Sequence, residues 1–189
     1  HTVPSCGWMV RQHAMAGKFD RQRADDLNLS TKERATLARG EDITAADGTT
    51  LEAAWFRGGK RAPVSVLISG DTASTPPGWV PDAAPTLLIH EATFLDEQQD
   101  KADEHQHSTA AGAVASALAV GAESLALTHY SNRIKSSEKV VEEAVNVAGD
   151  LPVVALNDSD RMVVNDDGTV HHLGWNDGQW WGLNIKPNR

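Results

Sequence analysis

Three apolar runs of this chain each end on a side chain that can bind a metal or carry a proton. Val64 to Ser69 leads into Gly70-Asp71-Thr72, Thr86 to Ile89 into His90-Glu91-Ala92-Thr93-Phe94, and Ser124 to Thr128 into His129-Tyr130-Ser131. Short continuous runs rich in Leu and β-branched residues predict buried strands of a sheet covered on both faces. In open α/β sheets, ligands gather at the carboxyl ends of the strands. One Asp, one Glu and two His at that edge therefore predict a site. Carboxylate oxygen and neutral imidazole are donors that suit zinc, with manganese as a second option. On residue types alone, Asp71 could instead simply turn the chain and His129 could be a hydrogen-bonded core histidine.

The elements that must position these residues follow from the pattern around them. The stretch from His1 to Val10 predicts a strand entering a turn at Gly7. Residues 11–60 are polar and mixed, with a turn at Ala16 to Asp20 and a short helix from Arg21 to Leu29. Ser30-Thr31-Lys32-Glu33 has the form of a capping box. Ala46-Asp47-Gly48-Thr49 is a hairpin turn between weak strands, and Arg57 to Arg61 is a flexible basic turn. The Pro-, Gly- and Ser-rich stretch from Ala73 to Pro85 predicts a loop, and Asp96 to Gln106 a mobile loop or frayed helix. Ser108-Thr109 open an Ala-rich helix to about Val120, with Val114 and Leu118 on one face. Ser136 to Ala148 is a second amphipathic helix, and Pro152 to Leu156 another buried strand. A hairpin of 161–164 with 169–173 turns at Asp166-Asp167-Gly168. The tail from Gly174 onward holds Trp175, Trp180 and Trp181, half of the six tryptophans, and reads as a cap on a core.

Composition sets the outer limits. At 189 residues the chain supports one domain with a real core. Its 40% apolar and 23% charged residues are ordinary for a soluble globular protein. No run approaches the length of a membrane span. A net charge of −9 works against nonspecific attraction to a polyanion such as RNA, which leaves only a local basic patch for that purpose. The lone Cys6 excludes an internal disulfide and fits a reducing, cytoplasmic setting. The chain opens on His1 and runs straight into Thr-Val-Pro-Ser-Cys-Gly, which reads as the interior of a longer protein.

Gly-Asp-Thr, His-Glu-Ala-Thr-Phe, His107-Ser108-Thr109 and Thr-His-Tyr-Ser-Asn-Arg occur in this order. With them the chain resembles the ribonuclease Z branch of the metallo-β-lactamase superfamily over roughly residues 1–165. That resemblance implies an α/β fold, the αβ/βα sandwich, and hydrolytic removal of the 3′ trailer from precursor tRNA. The attacking group would be a hydroxide held between two zinc ions. It implies that Asp71 bridges the metals, that His129 is the last metal-binding histidine, and that His1, in His-x-Val-Pro-Ser-x-Gly, completes the first metal's shell. Glu91 and His107 match a pair beside the metals, in which the carboxylate orients the imidazole as general acid for the departing 3′ oxygen. Ser131 and Arg133 match a phosphate grip, with Ile134 where the family has Tyr. The amides opening the helix after His107 are expected to favour a nearby phosphate. His90 is expected to pack structurally, and His13, His105, His171 and His172 to lie at the surface.

Two features depart from the family. His-x-His-x-Asp-His occurs nowhere in the sequence, so the chain is expected to be the C-terminal portion of one domain. Residues 11–60 would then be an arm-like or variable segment. An isolated second half is expected to leave an apolar sheet face uncovered. The region from Asn28 to Gly40 has no Gly-Pro and is only modestly basic, unlike an arm that grips tRNA. Two other readings stay open. One is a sister hydrolase acting on aryl sulfates or small or cyclic phosphodiesters; the other is a non-catalytic half-domain that binds a partner. A homodimer fits the family's habit.

Overall fold

The structure, a computed structural model, describes residues 3–13, 17–45, 47–58 and 63–186. The chain divides into two compact units, 12–63 and the remainder. Strand β1, Trp8–Arg11, belongs to the larger unit. It starts after Gly7, so the expected turn at Gly7 does not form; the polar-edged strand follows it instead.

The smaller unit carries helices α1 (Arg21–Asp26) and α2 (Thr31–Ala38), strands β2 (Ile43–Thr44) and β3 (Thr50–Leu51), and a 3-10 turn at Ala53–Phe56. Asp20 caps α1 by accepting from the Arg23 amide. The capping box forms as predicted: Glu33 N–H donates to Ser30 Oγ, and Ser30 N–H donates to Glu33 Oε2 at 2.7 Å. β2 and β3 pair antiparallel, with Ile43 opposite Leu51 and Thr44 opposite Thr50. Ala24, Leu29, Leu37, Leu51 and Phe56 give this unit its own core. Arg34 ties the two helices through Asp25 and the Leu29 carbonyl.

The larger unit is built on a five-stranded sheet of β1, β4 (Ser65–Ile68), β5 (Leu87–Glu91), β6 (Leu125–Thr128) and β7 (Val153–Ala155), in that order. β1 is antiparallel to β4, and β4, β5, β6 and β7 run parallel. A 3-10 turn at Asp96–Gln98 and helix α3 (Gln99–His105) occupy the stretch expected to be loop or frayed helix. Helices α4 (Ala110–Ala119) and α5 (Ser137–Ala148) sit close to their predicted bounds, capped by Thr109 and Ser136. Their small and β-branched faces pack on Leu67, Leu88, Leu125 and Leu127. Each such fully buried Leu contributes roughly 1.5–3 kcal/mol.

Strands β8 (Arg161–Val164), β9 (Val170–Asn176) and β10 (Gln179–Lys186) form a second sheet, in the order β10-β9-β8. Val170, Met162, Val164 and Ile185 pack against Leu87, Ile89, Ala126 and Val154 on the other face of the main sheet. That cover stops short of β1, where Trp8 and Val10 are 66% and 60% exposed, beside exposed Ile68. The uncovered apolar face expected from the sequence is therefore confined to this edge. The tail's tryptophans do not cap a core: they lie in the β9–β10 hairpin, and Trp175, Trp180 and Trp181 are exposed, whereas Ile185 of the same tail packs inward. Trp175 and Trp180 meet at 4.7 Å, and the Arg161 guanidinium lies 4.1 Å from the Trp180 ring.

Candidate functional site

The predicted residues gather at the carboxyl ends of β4, β5 and β6. After β4 the chain turns sharply at Gly70, which has φ +64. A Cβ there would stand 2.7 Å from the Cys6 carbonyl oxygen and 2.9 Å from Ser5 Oγ, so the turn admits no side chain. It delivers Asp71. β5 runs through to Glu91 itself. β6 ends at Thr128, and His129 follows with φ 59, a left-handed conformation costing a non-glycine residue on the order of 1–3 kcal/mol. Gln106 ends α3 in the same conformation (φ 55) and presents His107.

Asp71 Oδ1 lies 3.7 Å from His129 Nε2. Donor atoms of Asp71, His107 and His129 all fall within 4.8 Å of one another. The two imidazoles stack with centroids 5.6 Å apart at 19°. One carboxylate and two imidazoles at this separation fit a zinc ion bound at about 2 Å from each donor, after small side-chain adjustments. Asp71 and His129 converge as expected. His107, expected beside the metals, joins them in the same cluster. His1 lies outside the described residues.

Glu91 stands behind this cluster, 1% exposed. Its Oε1 accepts from the Thr72 amide at 2.8 Å and pairs with His107 Nδ1 at 2.6 Å. Its Oε2 accepts from the Thr93 hydroxyl at 2.6 Å and from the amides of Thr93 and Ser108 at 3.1 and 3.2 Å. A carboxylate so satisfied holds His107 with Nδ1 protonated, which directs that ring's chemistry to Nε2. The Glu91–His107 pairing is the one the sequence predicted. Thr93 was given no role there, yet its hydroxyl reaches Glu91 and both imidazoles. Thr93 lies two residues past the end of β5, and its place beside Glu91 in the His-Glu-Ala-Thr-Phe run was the available signal.

The helix start after His107 does not offer open amides, contrary to expectation. Ser108 donates to Glu91, Ala110 to the Phe94 carbonyl, Ala111 to Glu143 Oε1 and Gly112 to Thr109 Oγ1. Ser131 and Arg133 line adjoining clefts. Ser131 shares one with His129, Tyr130 and Asn157. Arg133 shares another, of about 270 Å³, with Lys135, Ser136 and Lys139. His90 is fully buried as expected, its Nδ1 donating to the Glu91 carbonyl at 2.7 Å and its ring edge-on to Trp79. Burial pushes its pKa down. His172 is not a surface residue: it is 7% exposed, with Nε2 2.7 Å from Asp160 Oδ2. Burial would raise the Asp160 carboxyl, but the Asn157 amide and His172 outweigh it and hold it low.

Known proteins resemble the chain in sequence over this region. It is 30% identical to ribonuclease Z of Halobacterium salinarum over 178 residues, covering 94% of this chain and 54% of that protein. It is 35% identical to ribonuclease Z of Synechococcus sp. (strain CC9605) over 134 residues, or 70% and 42% of the two chains. The chain thus spans about half the length of the curated relatives it matches. Among solved structures, the metallo-beta-lactamase fold protein YhfI from Bacillus subtilis matches with a TM-score of 0.43 and 24% identity over 50% of this chain and 37% of that one. Human tRNase Z, short form, matches with a TM-score of 0.35 and 30% identity over 58% and 34%. No family model matches the chain. The larger unit is a mixed α/β fold on a mostly parallel sheet with the cluster at its strand ends, and the sequence matches put the chain in the metallo-β-lactamase superfamily. Within it, on the strength of the sequence matches, the chain belongs to the ribonuclease Z branch, over part of that family's length.

Proposed function

We propose that this segment forms the second half of the active centre of a zinc-dependent phosphodiesterase that removes the 3′ trailer from precursor tRNA. The observation that carries the reading is the convergence of Asp71, His107 and His129 in front of the buried Glu91. In this reading Asp71 and His129 hold metal, joined by His1. Further donors come from a His-x-His-x-Asp-His segment that this sequence does not contain. Manganese is the alternative ion. When bound, the metal supplies Lewis-acid polarisation of the phosphoryl group and lowers the pKa of a water.

The chain's own residues handle the other end of the reaction. His107, oriented by Glu91, donates the Nε2 proton to the 3′ oxygen as the P–O bond breaks. Water oxygen ends on phosphorus, so the products are a tRNA with a 3′ hydroxyl and a trailer with a 5′ phosphate. Ser131 lies in the His129 cleft and Arg133 in the neighbouring one, where an arginine fork suits a phosphate. Lys135 and Lys139 add positive charge to that cleft. No helix among the described residues is long and apolar enough to cross a membrane. A cytoplasmic location and a homodimer accompany the reading.

The sister reading, hydrolysis of aryl sulfates or small phosphodiesters, is favoured by the weakly basic stretch from Asn28 to Gly40. Zinc analysis of the whole protein, with turnover of precursor tRNA, a bis-aryl phosphodiester and an aryl sulfate, separates the readings. The expected outcome is retained zinc and strong preference for precursor tRNA. Preference for either small ester supports the sister enzyme. No zinc and no turnover of any substrate ends both.

A further inference from the structure

The Thr93 hydroxyl has one proton and four polar neighbours: Glu91 Oε2 at 2.6 Å, His129 Nδ1 at 2.9 Å, His107 Nδ1 at 3.2 Å and the His129 carbonyl at 3.2 Å. The proton goes to the carboxylate, which is nearest and, when ionised, can only accept. Oγ1 is then an acceptor toward the rings. His107 already has Glu91 Oε1 at 2.6 Å for its Nδ1 proton. The 2.9 Å contact to His129 is attractive only if His129 Nδ1 is itself protonated; otherwise two lone pairs would face each other. The His129 lone pair is thereby placed on Nε2, the atom 3.7 Å from Asp71 Oδ1. The backbone locks the same arrangement, since the Ser131 amide donates to the Thr93 carbonyl at 3.0 Å and holds the strained His129 turn.

We propose that Thr93 is a positioning residue: its hydroxyl relays the Glu91 carboxylate to His129 and fixes that imidazole as the Nδ1–H tautomer, with Nε2 turned to the site. One carboxylate thus sets both imidazoles, His107 directly and His129 through Thr93. A hydroxyl in this place has no role in filling space that Val could not also fill. The consequence for metal binding rests on the function proposed above, but the tautomer itself does not.

The experiment is a two-bond ¹H–¹⁵N correlation of the imidazoles in the metal-free chain, recorded above the imidazole titration range. Expected for the unmodified chain is a protonated Nδ1 and a bare Nε2 at both His107 and His129. In Thr93→Val, His129 becomes a tautomer mixture while His107 keeps its Nδ1 proton; Thr93→Ser restores the original pattern. Competition of zinc alone against a chromophoric chelator should show affinity reduced by about tenfold to a hundredfold in Thr93→Val and recovered in Thr93→Ser. A bare Nδ1 on His129 in the unmodified chain overturns the proposal, as does an unchanged His129 pattern in Thr93→Val. If the Val variant does not fold, the unmodified and Ser spectra still decide. The expected tautomers without zinc binding would instead sink the metal reading and leave the relay standing.

Discussion

A buried carboxylate keeps its charge only where donors replace the water it has lost. Glu91 has three amides, a hydroxyl and an imidazole in that role. Its Oε1 holds His107 Nδ1 at 2.6 Å and so orients the ring for the general-acid role proposed above. His107→Gln in the whole protein should lower the rate on precursor tRNA by about 10²–10⁴-fold, since an alkoxide leaves poorly without a proton. An aryl phosphodiester, whose leaving group needs little help, should lose far less, and zinc content should stay unchanged. Zinc lost together with activity would make His107 a ligand instead. His90, one residue before Glu91, bears on stability. Its pKa is lowered by burial, so the folded chain resists its protonation while the unfolded chain accepts a proton near pH 6.5. The stability from keeping His90 neutral is present above that pH and is lost as pH falls below it. Urea midpoints between pH 8 and 5 should therefore drop toward acid, and the drop should shrink in His90→Leu.

At the scale of elements, the site depends on where three parallel strands stop. Gly70 is the tightest of these stops, because its added Cβ would meet backbone oxygen that cannot move aside. Gly70→Ala should cost on the order of 1–3 kcal/mol by thermal unfolding. It should also weaken zinc binding by displacing Asp71, whereas Gly40→Ala, at a positive φ with no atom nearby, should cost stability alone. The strands themselves were legible because a buried parallel strand is nearly continuously apolar, as Val66 to Ile68, Leu87 to Ile89 and Leu125 to Leu127 are. The helix starts at Ser30 and Ser108-Thr109 were legible because capping is local chemistry. β1 was misplaced because an edge strand with Trp8 and Arg11 at its ends has no clean alternation. β10 was missed although Asp177-Gly178 is a turn signal, because consecutive tryptophans mask the period of two. Distance in sequence hid the rest of the site. Glu143 takes the Ala111 amide from 32 residues away, and the Thr93 hydroxyl meets His129 from 36.

These 189 residues carry a net charge of −9, so the long-range field of this chain repels nucleic acid and does not supply affinity for it. Any attraction to RNA must come from a place where cations outnumber acids. The cleft of Arg133, Lys135 and Lys139 is such a place, with Glu97 as the one acid among its lining residues and Ser136, the cap of α5, at its wall. It follows in sequence directly on the loop that carries His129, so a phosphate held there would lie next along the chain from the candidate metal cluster. For single-stranded RNA each phosphate neutralised contributes a slope of about −0.7 in log affinity against log salt, so three cations predict a total of roughly −2. Titrating a single-stranded RNA trailer onto the protein at several salt concentrations measures that slope. Lys135→Glu with Lys139→Glu should flatten it by roughly 1.4, weaken binding at low salt, and leave hydrolysis of a small aryl diester unchanged. A slope that survives the double charge reversal would mean that RNA is held elsewhere, by residues beyond this segment.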